Sequence, residues 1–429
     1  MLKTEVVFTG IGVLSPIGLT LDSYWTSLME NRGAVGFVQS LDVYNSERPM
    51  GAEVPDFKPK EYFRSKKDVK QIKVMSRDIQ LGFSAAMLAC SDAGLITENN
   101  ENRNVDPDRF GVVFGADLIG LDISELFDTY RAGIKDGKYD SNNWGTDAMQ
   151  KIFPLWMLKY LPNMPACHIG IAHDARGPSN TLTLQRASSI AAIMEAARII
   201  ERGAADVMIC GGCGNCVNPG FLARSAAHQL APHSDMPSQL PRPFDVNRPG
   251  SVLGEGAAAF VIERRSFAEA RGAKIYAKIG GFCERINPSI HSTSKNDGSG
   301  IKDAIRGAME DAGIKPDDLS HINAEGHGTV QDDPIEANAI RDELGDVPVT
   351  ALKGFFGNIG SGTGAVELVS SLLSLQYGLI PPTKNCDKIA DDCPINVVQN
   401  QPRPSSKQAS LKINNGLGGR TVALVLEKV

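Results

Sequence analysis

The sequence predicts an α/β fold of stacked layers with largely parallel strands, and three observations carry that expectation. Short β-rich runs alternate with longer runs whose apolar residues recur at helical spacing. The pattern restarts after a charged stretch at Glu263 to Arg271. No linker rich in Pro, Gly or Ser separates the two series, so both belong to one body.

In chain order, Val6 to Gly12 reads as a strand, Arg77 to Ala93 as a helix, and Arg109 to Gly115 as a strand. A helix over Ser188 to Arg202 and a strand over Ala205 to Gly211 follow. In the second series the strands are Ala277 to Phe282, His321 to Ala324 and Thr421 to Glu427. Its helices are Gly300 to Ala312 and Gly364 to Tyr377. The expected organisation is a half at 1–265 and a half at 266–429. An irregular insertion at about 117–165, punctuated by Asn142-Asn143-Trp144-Gly145 and Pro154-Leu155-Trp156, reads as a lid or dimer element.

Bulk properties narrow the function classes. Hydrophobic content of 42% and charged content of 22% are those of a soluble globular chain. The net charge of −6 argues against a nucleic-acid binder. The start lacks a signal-peptide pattern, and no apolar run reaches membrane-spanning length, so the expectation is a cytoplasmic protein without membrane contact. Eight cysteines suit reduced thiols rather than a disulfide scaffold. Cys210, Cys213 and Cys216 have metal-site spacing. The first ends an apolar strand and no fourth ligand follows closely, so small buried thiols are the better reading; no metal or cofactor is expected.

Several motifs then recur in a fixed order. Val7-Phe8-Thr9-Gly10-Ile11-Gly12 precedes Leu14-Ser15-Pro16-Ile17-Gly18. Gly177-Pro178-Ser179, Ala205-Asp206-Val207-Met208 and Gly211-Gly212 follow. Next come Arg242-Pro243-Phe244-Asp245, Val252-Leu253-Gly254-Glu255-Gly256-Ala257, Asp333-Pro334-Ile335-Glu336, Lys353, Gly364-Ala365-Val366-Glu367 and Gly416-Leu417-Gly418-Gly419. Over nearly the whole chain this series resembles the β-ketoacyl-acyl-carrier-protein synthases, the ketosynthase II-like branch of the thiolase superfamily. The resemblance implies a five-layer α-β-α-β-α sandwich built from two βαβαβαββ halves, and a dimer.

The same resemblance locates the family's Cys-His-His set, and here the sequence departs from it. Counting without a gap from Gly177-Pro178-Ser179 puts Arg186 at the nucleophile, and a guanidinium cannot carry an acyl group. Counting back from Asp333 puts Glu325 at the first histidine. His327, in His327-Gly328-Thr329, would need a deletion of two residues to take that place, so His327 and Thr329 are expected on the substrate side. Asn358 stands at the second histidine, and Asn415 at the gating phenylalanine. Lys353, Asp333, Glu336, Glu367, Gly416 and Gly418 remain as the family has them. Arginine facing glutamate suggests a buried ion pair between Arg186 and Glu325, with Asn358 satisfying leftover donors or acceptors. Gln185 falls one position before the nucleophile, which would set it off the turn.

These replacements favour a non-condensing, chain-length-factor-like subunit paired with an active ketosynthase. Its insertion, around Phe153, Leu155, Trp156 and Leu158, would line the acyl tunnel or pack at the subunit interface. A second reading is altered, non-covalent chemistry on an acyl-carrier- or coenzyme-A-bound acyl substrate, with Glu325 as general base and Arg186 clamping a carboxylate bidentately. A third is a homodimeric, acyl-carrier-binding scaffold without turnover. The basic run Arg64, Lys66, Lys67, Lys70, Lys73 and Arg77 is a candidate dock for an acidic acyl carrier protein.

Overall fold

The structure, a computed structural model, describes residues 4–41, 48–64, 68–95, 105–117, 123–223, 229–287, 297–416 and 418–429. The first half runs β1 (Val6–Leu14), α1 (Arg77–Asp92), β2 (Phe110–Gly115), α2 (Met164–His173), β3 (Ser179–Leu182), α3 (Ser188–Glu201), β4 (Val207–Asn215) and β5 (Leu253–Arg264). The second runs β6 (Ala277–Ile286), α4 (Ser299–Ala312), β7 (Leu319–Asn323), α5 (Asp332–Leu344), β8 (Pro348–Thr350) and α6 (Thr363–Tyr377). A two-residue edge strand β9 (Asn396–Val397), β10 (Ala409–Asn415) and β11 (Arg420–Glu427) complete it. Apart from β9 the two halves repeat one order of elements.

Each half folds the same way. Strands β3, β2 and β4 are parallel, and β5 returns antiparallel to β4 and pairs with β1. Likewise β9, β8, β7 and β10 are parallel, with β11 and β6 antiparallel beyond them. The sheets meet edge to edge where Val7 pairs with Lys278 and Phe8 with Ala277. Helices α1 and α2 cover the outer face of the first sheet, and α4 and α5 that of the second. Between the sheets lie α3 and α6. Eleven of fourteen residues of α3 and thirteen of fifteen of α6 are buried, as only a central layer allows. This is the five-layer arrangement.

Local sequence explains the contacts. Ser76 caps α1 by accepting from the Ile79 N–H, and Ile79, Phe83 and Cys90 turn inward. Helix α1 lies directly on β1 because Gly10 and Gly12 have no side chain; a Cβ at Gly12 would sit 2.0 Å from the Ala85 carbonyl oxygen. Of the insertion, residues 118–122 lie outside the described set. Residues 123–163 form a short helix (Phe127–Ala132), a two-residue hairpin and single helical turns. Phe153 and Leu155 are 47% and 49% exposed there.

Candidate active site

The candidate site begins at the passage from β3 to α3. A single tight turn, Gln185–Ala187, makes the corner, and Gln185 has φ +55°. A left-handed glutamine costs about 1–2 kcal/mol and persists only where surrounding packing enforces it. Gln185 therefore sits on the turn itself, not off it as the residue count suggested. The corner aims Arg186 into the interior, 7% exposed, just ahead of α3. A cation there opposes the helix dipole and needs compensation.

That compensation comes from the second half. Arg186 Nε donates to the Asn415 carbonyl at 2.9 Å. Nη1 lies 2.9 and 2.6 Å from Nδ1 and Nε2 of His327, so an unprotonated ring nitrogen can accept. Glu325 Oε1 lies 3.6 Å from Nε, an ion-pair distance beyond hydrogen-bond reach. Nη2 has no hydrogen-bond partner among the described residues. A bidentate clamp would have to break one of the bonds already made.

The loop from Glu325 to Thr329 is held by two carboxylates of α5. The spacing in Asp333-Pro334-Ile335-Glu336 puts both on one helix face. Glu336 accepts from the N–H groups of Glu325 (2.8 Å) and Gly326 (2.9 Å). Asp333 accepts from those of His327 and Gly328, each at 2.9 Å, and from that of Phe244 at 2.8 Å, which ties in the Arg242-Pro243-Phe244-Asp245 motif. Burial, then the nearby Glu325 charge, pushes Glu336 up to about 7. Burial pushes Asp333 up to about 6 against the pull of its backbone donors.

Behind Glu325 runs a buried series of alternating charges. Lys353 Nζ lies 2.8 Å from Glu325 Oε1 and 2.9 Å from Glu367 Oε1; Lys412 Nζ lies 2.6 Å from Glu367 Oε2. Asn414 donates to Glu325 at 2.6 Å. Burial pushes Glu325 up, but Lys353 and then Arg186 pull it far below the usual carboxylate range. Burial would lower Lys353, and the two glutamates raise it. Lys353, not Arg186, is thus the dominant partner of Glu325. Sequence reasoning missed Lys412 and Asn414. The signal was a lysine between Leu411 and Ile413 in a short apolar run, a pattern that buries the lysine and obliges it to find an anion.

Two expected contributors lie elsewhere. The Asn358 side-chain oxygen Oδ1 accepts from the Gly360 N–H (3.0 Å) and the Thr363 hydroxyl (3.2 Å), so it orders the entry to α6 and satisfies neither Arg186 nor Glu325. The Thr329 hydroxyl accepts from the N–H of Asp332, the first residue of α5, at 3.0 Å, and Thr329 does not line the cavity. The cavity, about 340 Å³, is bounded by Arg186, Glu325, His327, Glu336, Asn415 and the Gly416/Gly418 turn. Gly416 spends its N–H on the Arg420 carbonyl at 2.8 Å; Leu417 lies outside the described residues. Among the described residues no cysteine lines the cavity. Cys210, Cys213 and Cys216 sit in three different core clusters, and burial pushes all three thiols up.

Of the basic run, Lys66 and Lys67 lie outside the described residues. Lys70 and Lys73 are exposed. Arg64 lies 3.2 Å from His173 Nδ1, and Arg77 turns inward to pair with Glu255 at 2.7 Å. No described helix is long and apolar enough to cross a membrane.

Comparison with known proteins decides the family. The β-ketoacyl synthase N-terminal domain matches residues 3–268, and the C-terminal domain of the same family matches residues 276–387. The chain belongs to the β-ketoacyl synthase family. Among its relatives, the 3-oxoacyl-acyl-carrier-protein synthase 2 of Vibrio harveyi is 33% identical over 100% of both chains. The tetracenomycin polyketide synthase ketoacyl synthase alpha subunit of Streptomyces glaucescens is 32% identical over 99% of this chain and 97% of its own. The solved structure of the ishigamide ketosynthase/chain length factor superposes with a TM-score of 0.85 at 26% identity, covering 100% of both. The thiolase-like layering of this β-ketoacyl synthase family member agrees with that neighbour.

Proposed function

We propose that this chain is a non-condensing member of the β-ketoacyl synthase family, a chain-length-factor-like subunit that pairs with a cysteine-bearing ketosynthase of fatty-acid or polyketide synthesis. One observation carries the reading: the corner ahead of α3 presents Arg186, tied by Nε and Nη1 to Asn415 and His327. A guanidinium in that place offers no nucleophile, and the ionised Glu325 beside it would disfavour a thiolate. Half-exposed Phe153, Leu155 and Met157 on the insertion support a partner surface. Resemblance to a ketosynthase/chain length factor is consistent with that pairing.

The altered-chemistry alternative fits less well. A general base works best with a pKa near the operating pH, whereas Glu325 is held far below it by Lys353 and Arg186. Carrier docking on Lys66, Lys67, Lys70, Lys73 and Arg64 remains part of the proposal; reversing Lys66, Lys67 and Lys70 to glutamate should weaken carrier binding.

The test is co-expression with a ketosynthase that has its cysteine, followed by size and mass measurement and a malonyl-carrier turnover assay. A stable heterodimer, with condensation confined to the complex, is expected. Condensation by this chain alone, or no association with any such ketosynthase encoded beside it, overturns the proposal.

A further inference from the structure

A second cavity, of about 1190 Å³, opens on the first half and shares no lining residue with the one beside Arg186. The proposed function makes no use of it. Its floor forms where the first turn of α1 meets the end of β4 and the start of β5, and there Asp78 is only 8% exposed. Asp78 Oδ1 accepts from the Asn215 N–H at 2.7 Å, while Oδ2 has no hydrogen-bond partner among the described residues.

The surrounding polar groups are already satisfied. Glu255 accepts from Arg77 Nε and Nη2 at 3.0 and 2.7 Å and from the Val54 N–H at 2.8 Å. The Asn218 amide donates to the Asn215 carbonyl and accepts from the Phe221 N–H. Lys58 and Lys159, which line the cavity, pair with Glu61 and Glu125. Among the described residues Asp78 is therefore left without a counter-ion. Burial, with Glu255 and Asp117 adding like charge, pushes its pKa up to about 7 against the pull of the Asn215 N–H. The nearby thiols of Cys213 and Cys216 are held neutral by burial.

A buried carboxylate with one free oxygen suits a single charged donor. A guanidinium matches two carboxylate oxygens at once, and Oδ1 is taken; an ammonium needs only one. Phe37, Phe57, Met75 and Val217 give the cavity apolar walls that suit a hydrocarbon body. We propose that this cavity binds a primary ammonium group carried on an apolar chain, with the ammonium on Asp78 Oδ2 and the chain along Phe37, Phe57, Met75 and Val217. The inference stands independently of whether the chain condenses acyl groups or takes a partner.

The experiment is isothermal titration calorimetry of the full chain with hexylammonium chloride, 1-hexanol and sodium hexanoate, which share an apolar body and differ in charge. At pH 8 hexylammonium should bind saturably at one site, at least about tenfold more tightly than the other two, as a charge-assisted hydrogen bond implies. Asp78→Asn keeps the acceptor for the Asn215 N–H and should lose that margin. In the parent, affinity for hexylammonium should fall about tenfold from pH 8 to pH 6, because the ammonium competes with a proton on a carboxylate of pKa about 7 while itself staying charged. That arm needs no substitution, so it decides the matter if Asp78→Asn does not fold. Equal binding of the three compounds by the parent, no binding of hexylammonium, unchanged binding in Asp78→Asn, or an affinity independent of pH overturns the proposal.

Discussion

The two halves repeat one order of strands and helices, yet they carry different loads. The second half holds Glu325, Asp333, Glu336, Lys353, Glu367 and Lys412, all buried; the first contributes Arg186 to that assembly. Helix α3 packs largely through Ile, Ala and Met, whereas its counterpart α6 buries Glu367 with Ser370, Ser371 and Ser374. The first half instead carries the exposed apolar surface. Of the sixteen large hydrophobic residues exposed among those described, ten lie between Phe127 and Ile171. A duplicated scaffold thus links the buried charges of one copy into a single array at the site. The other copy, which also buries Asp78, Asp206, Asp245, Arg248, Glu255 and Glu263, carries the exposed apolar surface.

The largest effect expected from breaking this division is at Lys353. Lys353→Met keeps the length of the side chain but leaves Arg186, at 3.6 Å, as the cation paired with Glu325 and Lys412 as the cation paired with Glu367. Removing one member of a buried ion pair costs about 3–5 kcal/mol. Urea denaturation at unchanged m-value should show a loss of that size; a loss under about 1 kcal/mol would mean the array relaxes freely.

Next in size is a pH dependence set by two carboxylates of opposite character. Glu336, raised by burial from 4.5 to about 7, holds a proton in the folded chain that the unfolded chain releases. Its contribution is therefore full below about pH 4.5 and is lost as pH rises through 7, on the order of 3 kcal/mol. Glu325, held down by Lys353 and Arg186 despite burial, contributes stability that is present throughout this window and lost only at more acid pH. Stability measured from pH 4.5 to 7.5 should fall, and Glu336→Gln should remove the Glu336 share while leaving that of Asp333, whose pKa is about 6. A slope unchanged in Glu336→Gln would assign the effect elsewhere.

The sequence disclosed these two halves unevenly. Strands rich in Val and Ile were legible, as were the helices α1, α3, α4 and α6. Strand β5 was not, because Gly254-Glu255-Gly256-Ala257-Ala258-Ala259 lacks β-branched residues. It is a strand because β4 and β1 flank it on both sides. Helix α5 hid behind Asp332-Asp333-Pro334, which reads as a turn although proline suits the first turn of a helix. In the site, the resemblance to the family, and not spacing alone, implied that Arg186 and Glu325 lie near each other. It could not rank Lys353 above Arg186 as the partner of Glu325, nor turn Asn358 away, because those choices depend on side-chain directions set by tertiary packing.

A smaller effect is expected at the single charge the first half lends to the site. Arg186→Met frees the Asn415 carbonyl and His327 while Glu325 keeps Lys353, for a loss of about 2 kcal/mol by urea denaturation. Arg186→Cys sharpens the point. A thiol there would stand beside the ionised Glu325, which raises its pKa. Its alkylation by iodoacetamide at pH 7 should be slower than that of free cysteine. Fast, single-site alkylation would show that the corner still activates a nucleophile.

The smallest effect on stability, and the most telling for the apolar surface, is expected in the insertion. Phe153, Leu155 and Met157 are 47%, 49% and 54% exposed. Replacing each with serine removes little buried area and should change stability by less than about 0.5 kcal/mol. If a partner covers them, the same triple variant should weaken the complex at least about tenfold, since apolar anchors dominate such interfaces. Val330→Ser and Val429→Ser, at exposed apolar positions of the second half, should alter neither quantity. Loss of association without loss of fold would tie partner binding to the first half. Unfolding of the isolated triple variant would instead make those side chains part of the core of the insertion. Equal weakening by the second-half control would remove the distinction between the halves, because contact surface would then be spread over both.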